Sequence, residues 1–385
     1  MPCPLHSAPG HLACMCDPDY YNEVLVASSG AAQGVRCAAC MAGTNCNTSG
    51  NTLVSLPLLP GWWRVHTRST DVRKCPRFGG QNSTGCIGGW GALCKPGLAG
   101  PYCQLCVNKT GHFYDMRKGE CASCDATGGH TSLFAILLGL AVPVALFAVQ
   151  RLGPRFLFAV EGRCGVQLSR WVPPRDWVRI QWGTYQVITK LPAVCQLGSL
   201  PASVSDLLAL LTMAVDVGFE SFSGVPLQCI GMQGFLARLI FYVVVPPTVL
   251  MLASPFIKRI SGSERRRPQT WSKQMLPAAL IISYLALPMV STLAFRAFIS
   301  EAFTEEGGRE VAYLKADYSV QIGSTQDSSI KAWASIAIVL YPVGIPIWYA
   351  ILLFKVRHKV STDVYSELSD AVSFLHGVFK PQFYW

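Results

Sequence analysis

Apolar positions follow two regimes along this chain. From residue 126 onward they run together into four stretches, 132–149, 239–257, 274–295 and 332–354, none of which contains Asp, Glu, Lys or Arg. About 20 consecutive apolar residues in a helix span a bilayer, whereas a helix in a soluble core usually keeps a polar face. The pattern therefore predicts membrane-spanning helices. A fifth stretch, 182–219, is apolar on average but carries Lys190, Asp206 and Asp216, with Pro192 and Pro201 between them. It reads as one span broken near those prolines. Before residue 126 the apolar positions are scattered among Cys, Gly, Asn and Pro clusters, which predict short loops and turns. The expected fold class is an α-helical polytopic membrane protein of about five spans. A small disulfide-rich ectodomain occupies 1–125, the membrane region occupies 126–385, and its last part, 355–385, is a cytoplasmic tail.

Charge orients these elements. Six Arg lie in 151–181 and six Lys or Arg in 257–273, while 218–232 has none and 296–331 has four against six acids. Lys355, Arg357 and Lys359 follow the last apolar stretch. Basic loops stay cytoplasmic, so 151–181 and 257–273 are both inside and an even number of crossings separates them. The stretch 239–257 is one crossing, so 182–219 is expected to be the other. The N-terminal region and the loops 218–232 and 296–331 are then outside, and the expected location is the plasma membrane. The formal charge of +10 is spread over these short loops instead of forming one basic stripe, which argues against nucleic acid as a partner.

Thirteen of the 16 cysteines fall within 1–125, along with glycosylation sequons at Asn47, Asn82 and Asn108. A short, loop-rich chain outside the cell commonly uses disulfides where a hydrophobic core is too small. The rival is zinc, because Cys103-x-x-Cys106 and Cys121-x-x-Cys124 have zinc-ribbon spacing. The outside position and the surplus of cysteines favour disulfides, and no metal or cofactor is expected. Thirteen is odd, and Cys229 is the single further cysteine placed outside, since Cys164 lies in an inner loop and Cys195 in the broken span.

No histidine pair has metal-binding spacing, and no nucleophile elbow, phosphate loop or dinucleotide turn stands in context, so no enzyme is expected. Lys190, Asp206, Asp216 and Arg238 lie within or beside membrane segments, where charges usually face water or a partner. They read either as an ion or proton path or, for Asp216 and Arg238, as solvated residues near the outer interface. Pro342, Gly344 and Pro346 in "YPVGIP" mark either a hinge or a static kink, with an expected bend above about 20°. The tail aromatics Phe374, Phe379, Phe383, Tyr384 and Trp385 are expected to pack on further helices, the alternative being a place at the membrane interface beside Lys380 and His376.

Resemblance adds to these readings. The run Cys94, eight residues, Cys103, two residues, Cys106, fourteen residues, Cys121 resembles the second half of a laminin-type EGF module. That similarity implies Cys94–Cys103 and Cys106–Cys121 bonds. Cys124 falls outside those pairs and is the expected partner of Cys229, the alternative being a free, buried Cys229. Further stretches are "LPLLPGWWRVHTRSTDVRKCP", "GCIGGWGALCKPGLAGPYCQLC", "YQVITKLPAV", "AYLKADYSV", "LYPVGIPIWYAILL" and "FLHGVFKPQFYW". Together they resemble a family of large algal and protist membrane proteins. That family joins EGF-like or ephrin-receptor-like cysteine-rich repeats to a membrane region similar to the C-terminal part of transient-receptor-potential-like channels. Relatives usually carry a cysteine near Ser300 and another near Ile322, an expected disulfide absent here, and they continue past "KPQFYW". The resemblance implies a channel-like or receptor-channel protein that senses through its ectodomain. The alternative is a surface receptor or adhesion protein without transport activity. Membrane lipid and an extracellular protein or glycan ligand are the expected partners.

Overall fold

The computed structural model describes residues 5–9, 14–23, 35–76, 84–91, 93–115, 118–124, 184, 204, 227–262, 271–305, 309–361, 368 and 371–376. Apart from positions 184 and 204, the expected spans 132–149 and 182–219 lie outside these residues, as do the loop 151–181 and the tail beyond 376. Two compact units divide the chain. The first joins Met1–Gly129 to Gly231–Phe235 and Arg296–Lys331. The second comprises His130–Ile230, Leu236–Phe295 and Ala332–Trp385.

The cysteine-rich part of the first unit is built from antiparallel pairs of very short strands. These are β1 (Ser7–Pro9) with β2 (Cys14–Cys16), β3 (Tyr20–Asn22) with β4 (Cys37–Ala39), β5 (Trp62–Trp63) with β6 (Arg73–Lys74), β7 (Leu98–Ala99) with β8 (Leu105–Cys106), and β9 (His112–Asp115) with β10 (Glu120–Ser123). Strands of two to four residues bury little on their own, and covalent links supply the order. Disulfides join Cys16 to Cys37, Cys40 to Cys46, Cys75 to Cys86, Cys94 to Cys103 and Cys106 to Cys121. The last two are the pairs that the laminin-type similarity implies. Two small cores form around these bonds. Tyr21, Cys46, Leu53 and Leu56 make one, and Trp63, Cys75, Cys86, Leu98, Tyr102 and Cys103 contribute to the other. Arg64 is 4% exposed and ties the hairpin side to the first core, donating to the carbonyls of Leu53 (2.9 Å) and Leu56 (3.0 Å). Gly43, at φ 89°, is required by packing as well as by conformation, because a Cβ there would collide with the Trp62 ring.

The loop 296–331, expected from the sequence only as an outer loop, folds into a meander of β11 (Ser300–Thr304), β12 (Glu310–Leu314) and β13 (Asp317–Gln321). Its strands bury alternate residues, as Tyr318 and Val320 do between exposed Ser319 and Gln321. β12 lies between β11 and β13, so Ser300 and Ile322 are at least two strand spacings, roughly 9.6 Å, apart. Cysteines at these two positions would be too distant to bond to one another in this sheet.

Long helices make up most of the described part of the second unit, and two of them, starting at Gly234 and Thr325, begin in the first. α1 (Gly234–Gly262) carries Pro246, Pro247 and Pro255, and α2 (Trp271–Arg296) carries Pro277 and Pro288. α3 (Thr325–Ile338) continues through a π turn, Val339–Gly344, into α4 (Ile345–Ser361). Among the described residues three helical stretches are long and apolar enough to cross a membrane: Gly234–Leu252, Met275–Arg296 and Thr325–Arg357. They overlap the expected spans 239–257, 274–295 and 332–354. Ile336, Leu340, Val343, Ile347, Ile351 and Phe354 are all exposed and lie three or four positions apart, so α3 and α4 present one apolar stripe. On the opposite side Leu352 packs with Leu280 of α2 and Val372. Phe374 stacks edge-on against Tyr284 at 5.6 Å. This tail aromatic therefore packs on α2 of the same chain, a correction to the expectation that it awaits further helices.

Pro342 and Gly344 fall inside the π turn, and Pro346 in the first turn of α4. The backbone is α-helical at Ile338 (φ −64°, ψ −44°) and at Ile345 (φ −64°, ψ −48°), so the helix is not broken there. Its hydrogen-bond pattern widens instead, which absorbs the N–H that Pro342 lacks.

Candidate functional site

Charge and aromatic surface converge where β11 meets the β5–β6 hairpin and the turn Pro101–Cys103. Arg73, paired with Trp63 across the hairpin, stands at the centre. Its Nε donates to Asp71 Oδ1 at 2.8 Å and its Nη2 lies 2.7 Å from Asp71 Oδ2. Its Nη1 donates to Glu301 Oε1 at 2.9 Å, and Nη2 also donates to the Ala302 carbonyl at 2.6 Å. The guanidinium lies 4.5 Å from the centre of the Phe303 ring, a cation–π distance. Glu301 accepts two further bonds, from the Tyr102 hydroxyl at 2.6 Å and the Tyr318 hydroxyl at 2.7 Å. The Ser69 hydroxyl donates to the Thr304 carbonyl at 2.7 Å.

Aromatic rings enclose this network. Phe303, 1% exposed, meets Trp63 at 5.4 Å, Tyr102 at 5.7 Å and Tyr318 at 6.3 Å between ring centres. Tyr102 and Cys103 both hold left-handed backbone, at φ 53° and 56°. A bulky residue rarely adopts that region unless its surroundings enforce it. Here the Cys94–Cys103 bond and the Cys103 N–H to Gly100 carbonyl bond (3.0 Å) pin the turn, and Tyr102 is thereby aimed at Glu301.

The electrostatics follow from this geometry. Burial alone would raise the Glu301 carboxyl, but donation from Tyr102, Tyr318 and Arg73 brings it below the ordinary carboxylate value. Burial, and then its bond to Glu301, pushes the Tyr102 phenol up to about 12. The same two causes push Tyr318 upward. Asp71 holds the Arg73 guanidinium firmly protonated. Each functional group of the network is partnered, so the cluster acts as a clasp between the disulfide-stapled region and the sheet.

Helix ends are fixed in the same unit. Asp317 Oδ2 accepts the Phe235 N–H at 2.9 Å in the first turn of α1, where a carboxylate offsets the helix dipole. Gln233 Nε2 donates to the Lys109 carbonyl at 3.2 Å. Ser324 and Asp327 form a capping box on α3: the Asp327 N–H donates to Ser324 Oγ (3.2 Å) and the Gly323 N–H to Asp327 Oδ2 (2.9 Å). Between them, α2 runs directly into β11.

The residues singled out from the sequence are not gathered at this clasp. Cys103 reaches it through its disulfide turn. Cys106 and Cys121 bond to one another, and Cys124 and Cys229 are each disulfide-bonded. The four sulfurs of the zinc-ribbon spacing are therefore all consumed in disulfides. Asn47 and Asn108 are exposed, and the Thr110 hydroxyl donates to Asn108 Oδ1 at 2.9 Å. Arg238 is partly buried in the second turn of α1. Asn82, Lys190, Asp206 and Asp216 lie outside the described residues. Sequence reasoning missed Asp71, Arg73, Tyr102, Glu301 and Tyr318. Asp71, Arg73, Tyr102 and Tyr318 lie inside stretches that carry the family resemblance, and Glu301 is one of the six acids of the 296–331 loop.

The chain matches no family model, no curated protein and no solved structure.

Proposed function

We propose that this chain is a channel-like or receptor-channel integral membrane protein whose cysteine-rich ectodomain acts on its membrane helices through the loop between α2 and α3. One observation carries this reading: the Arg73–Glu301 clasp joins the disulfide-stapled region to a sheet that leads directly into two of the three apolar helices. Movement of the ectodomain would be transmitted through that sheet, as a flexible loop would not allow. The resemblance to the algal and protist family supports the same reading.

The composition of the first unit supports the orientation. Met1–Gly129, Gly231–Phe235 and Arg296–Lys331 share it, so they share one side of any membrane. That supports an even number of crossings within 130–230. With 132–149 proposed to cross once, 182–219 is proposed to cross once as well and not as a hairpin, which makes five proposed spans. Disulfides persist in oxidising compartments, so the shared side is outside and the plasma membrane is the proposed location. Glycans are proposed on Asn47, Asn82 and Asn108. Cys124 and Cys229 are proposed as partners that tie the ectodomain to the segment before α1.

The alternative, a receptor or adhesion protein without transport, has its own support. Trp90 is 74% exposed, beside exposed Ile87 and Leu59 on a surface suited to a protein or glycan ligand. Cation flux through liposomes carrying the full chain separates the two. The channel reading expects flux that Asp216→Asn changes at least severalfold. Absence of flux at any potential or ectodomain occupancy favours the receptor.

A further inference from the structure

Two consecutive prolines, Pro246 and Pro247, lie inside α1. A proline offers no N–H, so Pro246 and Pro247 deprive the carbonyls of Tyr242 and Val243 of their helical donors. Away from water an unmet carbonyl is costly, and proline-bearing membrane helices persist where a neighbour supplies the missing donor. Val243 is 6% exposed, and its carbonyl is met from another helix: the Tyr341 hydroxyl donates to it at 2.8 Å. The hydroxyl beside the prolines, Thr248, donates instead to the Val245 carbonyl at 2.8 Å.

Tyr341 is itself 7% exposed and sits within the π turn Val339–Gly344. That turn is tight. A Cβ on Gly344 would stand 2.9 Å from the Val339 carbonyl oxygen. The sequence therefore holds two backbone irregularities 98 residues apart, and one hydrogen bond joins them.

We propose that Tyr341 is a latch, its hydroxyl completing the hydrogen bonding that Pro247 removes from α1 and so coupling the proline-bearing stretch of α1 to the π turn of the α3–α4 helix. Any movement of α1 at Pro247 strands the Val243 carbonyl unless the π turn moves with it. The coupling is a property of the helix pair and does not depend on whether the protein conducts ions.

Hydrogen exchange on the full chain in lipid nanodiscs tests this. Tyr341→Phe keeps the ring and removes only the donor. Amide exchange should rise together in 239–250 and 336–347, by about three- to tenfold for the loss of one hydrogen bond within a membrane bundle. Tyr349→Phe, which removes a hydroxyl bonded to Ser283 at 2.7 Å, should leave 239–250 unchanged. Pro247→Ala returns an N–H to Val243, so adding Tyr341→Phe in that background should not raise exchange in 239–250. If Tyr341→Phe alone fails to assemble, the double variant should recover assembly. A rise confined to 336–347, no rise at all, an effect of equal size in the Pro247→Ala background, or failure of the double variant to recover would each overturn the latch.

Discussion

Glu301→Ala should lower the stability of the first unit by about 2–4 kcal/mol, the cost of leaving a partly buried arginine and its hydroxyl neighbours without their acceptor. Three donors converge on this carboxylate, so its loss strands Tyr102, Tyr318 and part of Arg73 at once. Exchange protection of β11–β13 reports the effect directly. Those strands should lose protection while the Cys16–Cys37 region keeps its own. Glu301→Gln should cost less, since its carbonyl oxygen still accepts one bond. Equal protection in wild type and Glu301→Ala would mean that the clasp holds nothing. The same network sets a pH window. The Glu301 carboxyl is lowered from its ordinary value of 4.5, so its contribution is complete above that pH and is lost as pH falls below it. The Tyr102 phenol is raised from 10.0 to about 12, so a second loss sets in as pH rises through that interval.

Phe303→Ala should be the most damaging single truncation in the sheet, at about 3–5 kcal/mol for a large ring removed from a closed site. Phe303 is 1% exposed and sits between Trp63, Tyr102 and Tyr318, with the Arg73 guanidinium over its face. A hydrophobic contact confined to the sheet would make this substitution a matter for residues 300–321 alone. Here the ring belongs to the core that holds Cys75, Cys86 and Cys103. The loss should therefore also expose the Cys75–Cys86 disulfide to reductant, measured as faster alkylation after mild reduction. Phe303→Leu should retain most of the protection. Unchanged reductant sensitivity in Phe303→Ala would separate the sheet from the disulfide core.

The long helices were legible because apolar runs without charge have few alternative conformations, and 274–295 matches Met275–Arg296 almost residue for residue. The π turn was legible only as a disturbance. "YPVGIP" announces missing donors and a missing side chain, but widening, kinking and breaking a helix all satisfy those conditions. Only the Tyr341 hydroxyl on Val243 reveals which neighbour takes part. The clasp was hidden for a different reason. Asp71 and Arg73 lie about 230 residues before Glu301, and hydrogen-bond partners so far apart leave no local period. The sheet β11–β13 was missed because its alternation is short and the acids of the loop drew attention to net charge. Strand patterns of five residues carry less signal than a span of 20.

The cysteine-rich region and the α2–α3 loop are proposed to share one side of a membrane, opposite the α1–α2 connection. Epitope tags inserted singly at 80, at 307, within 263–270 and after 361 test it in intact and permeabilised cells. These sites lie between or beyond the described elements. Tags at 80 and 307 should bind antibody on intact cells, while those within 263–270 and after 361 should bind only after permeabilisation. Antibody reaching the tag at 80 but not the one at 307, or reaching 263–270 on intact cells, would contradict it.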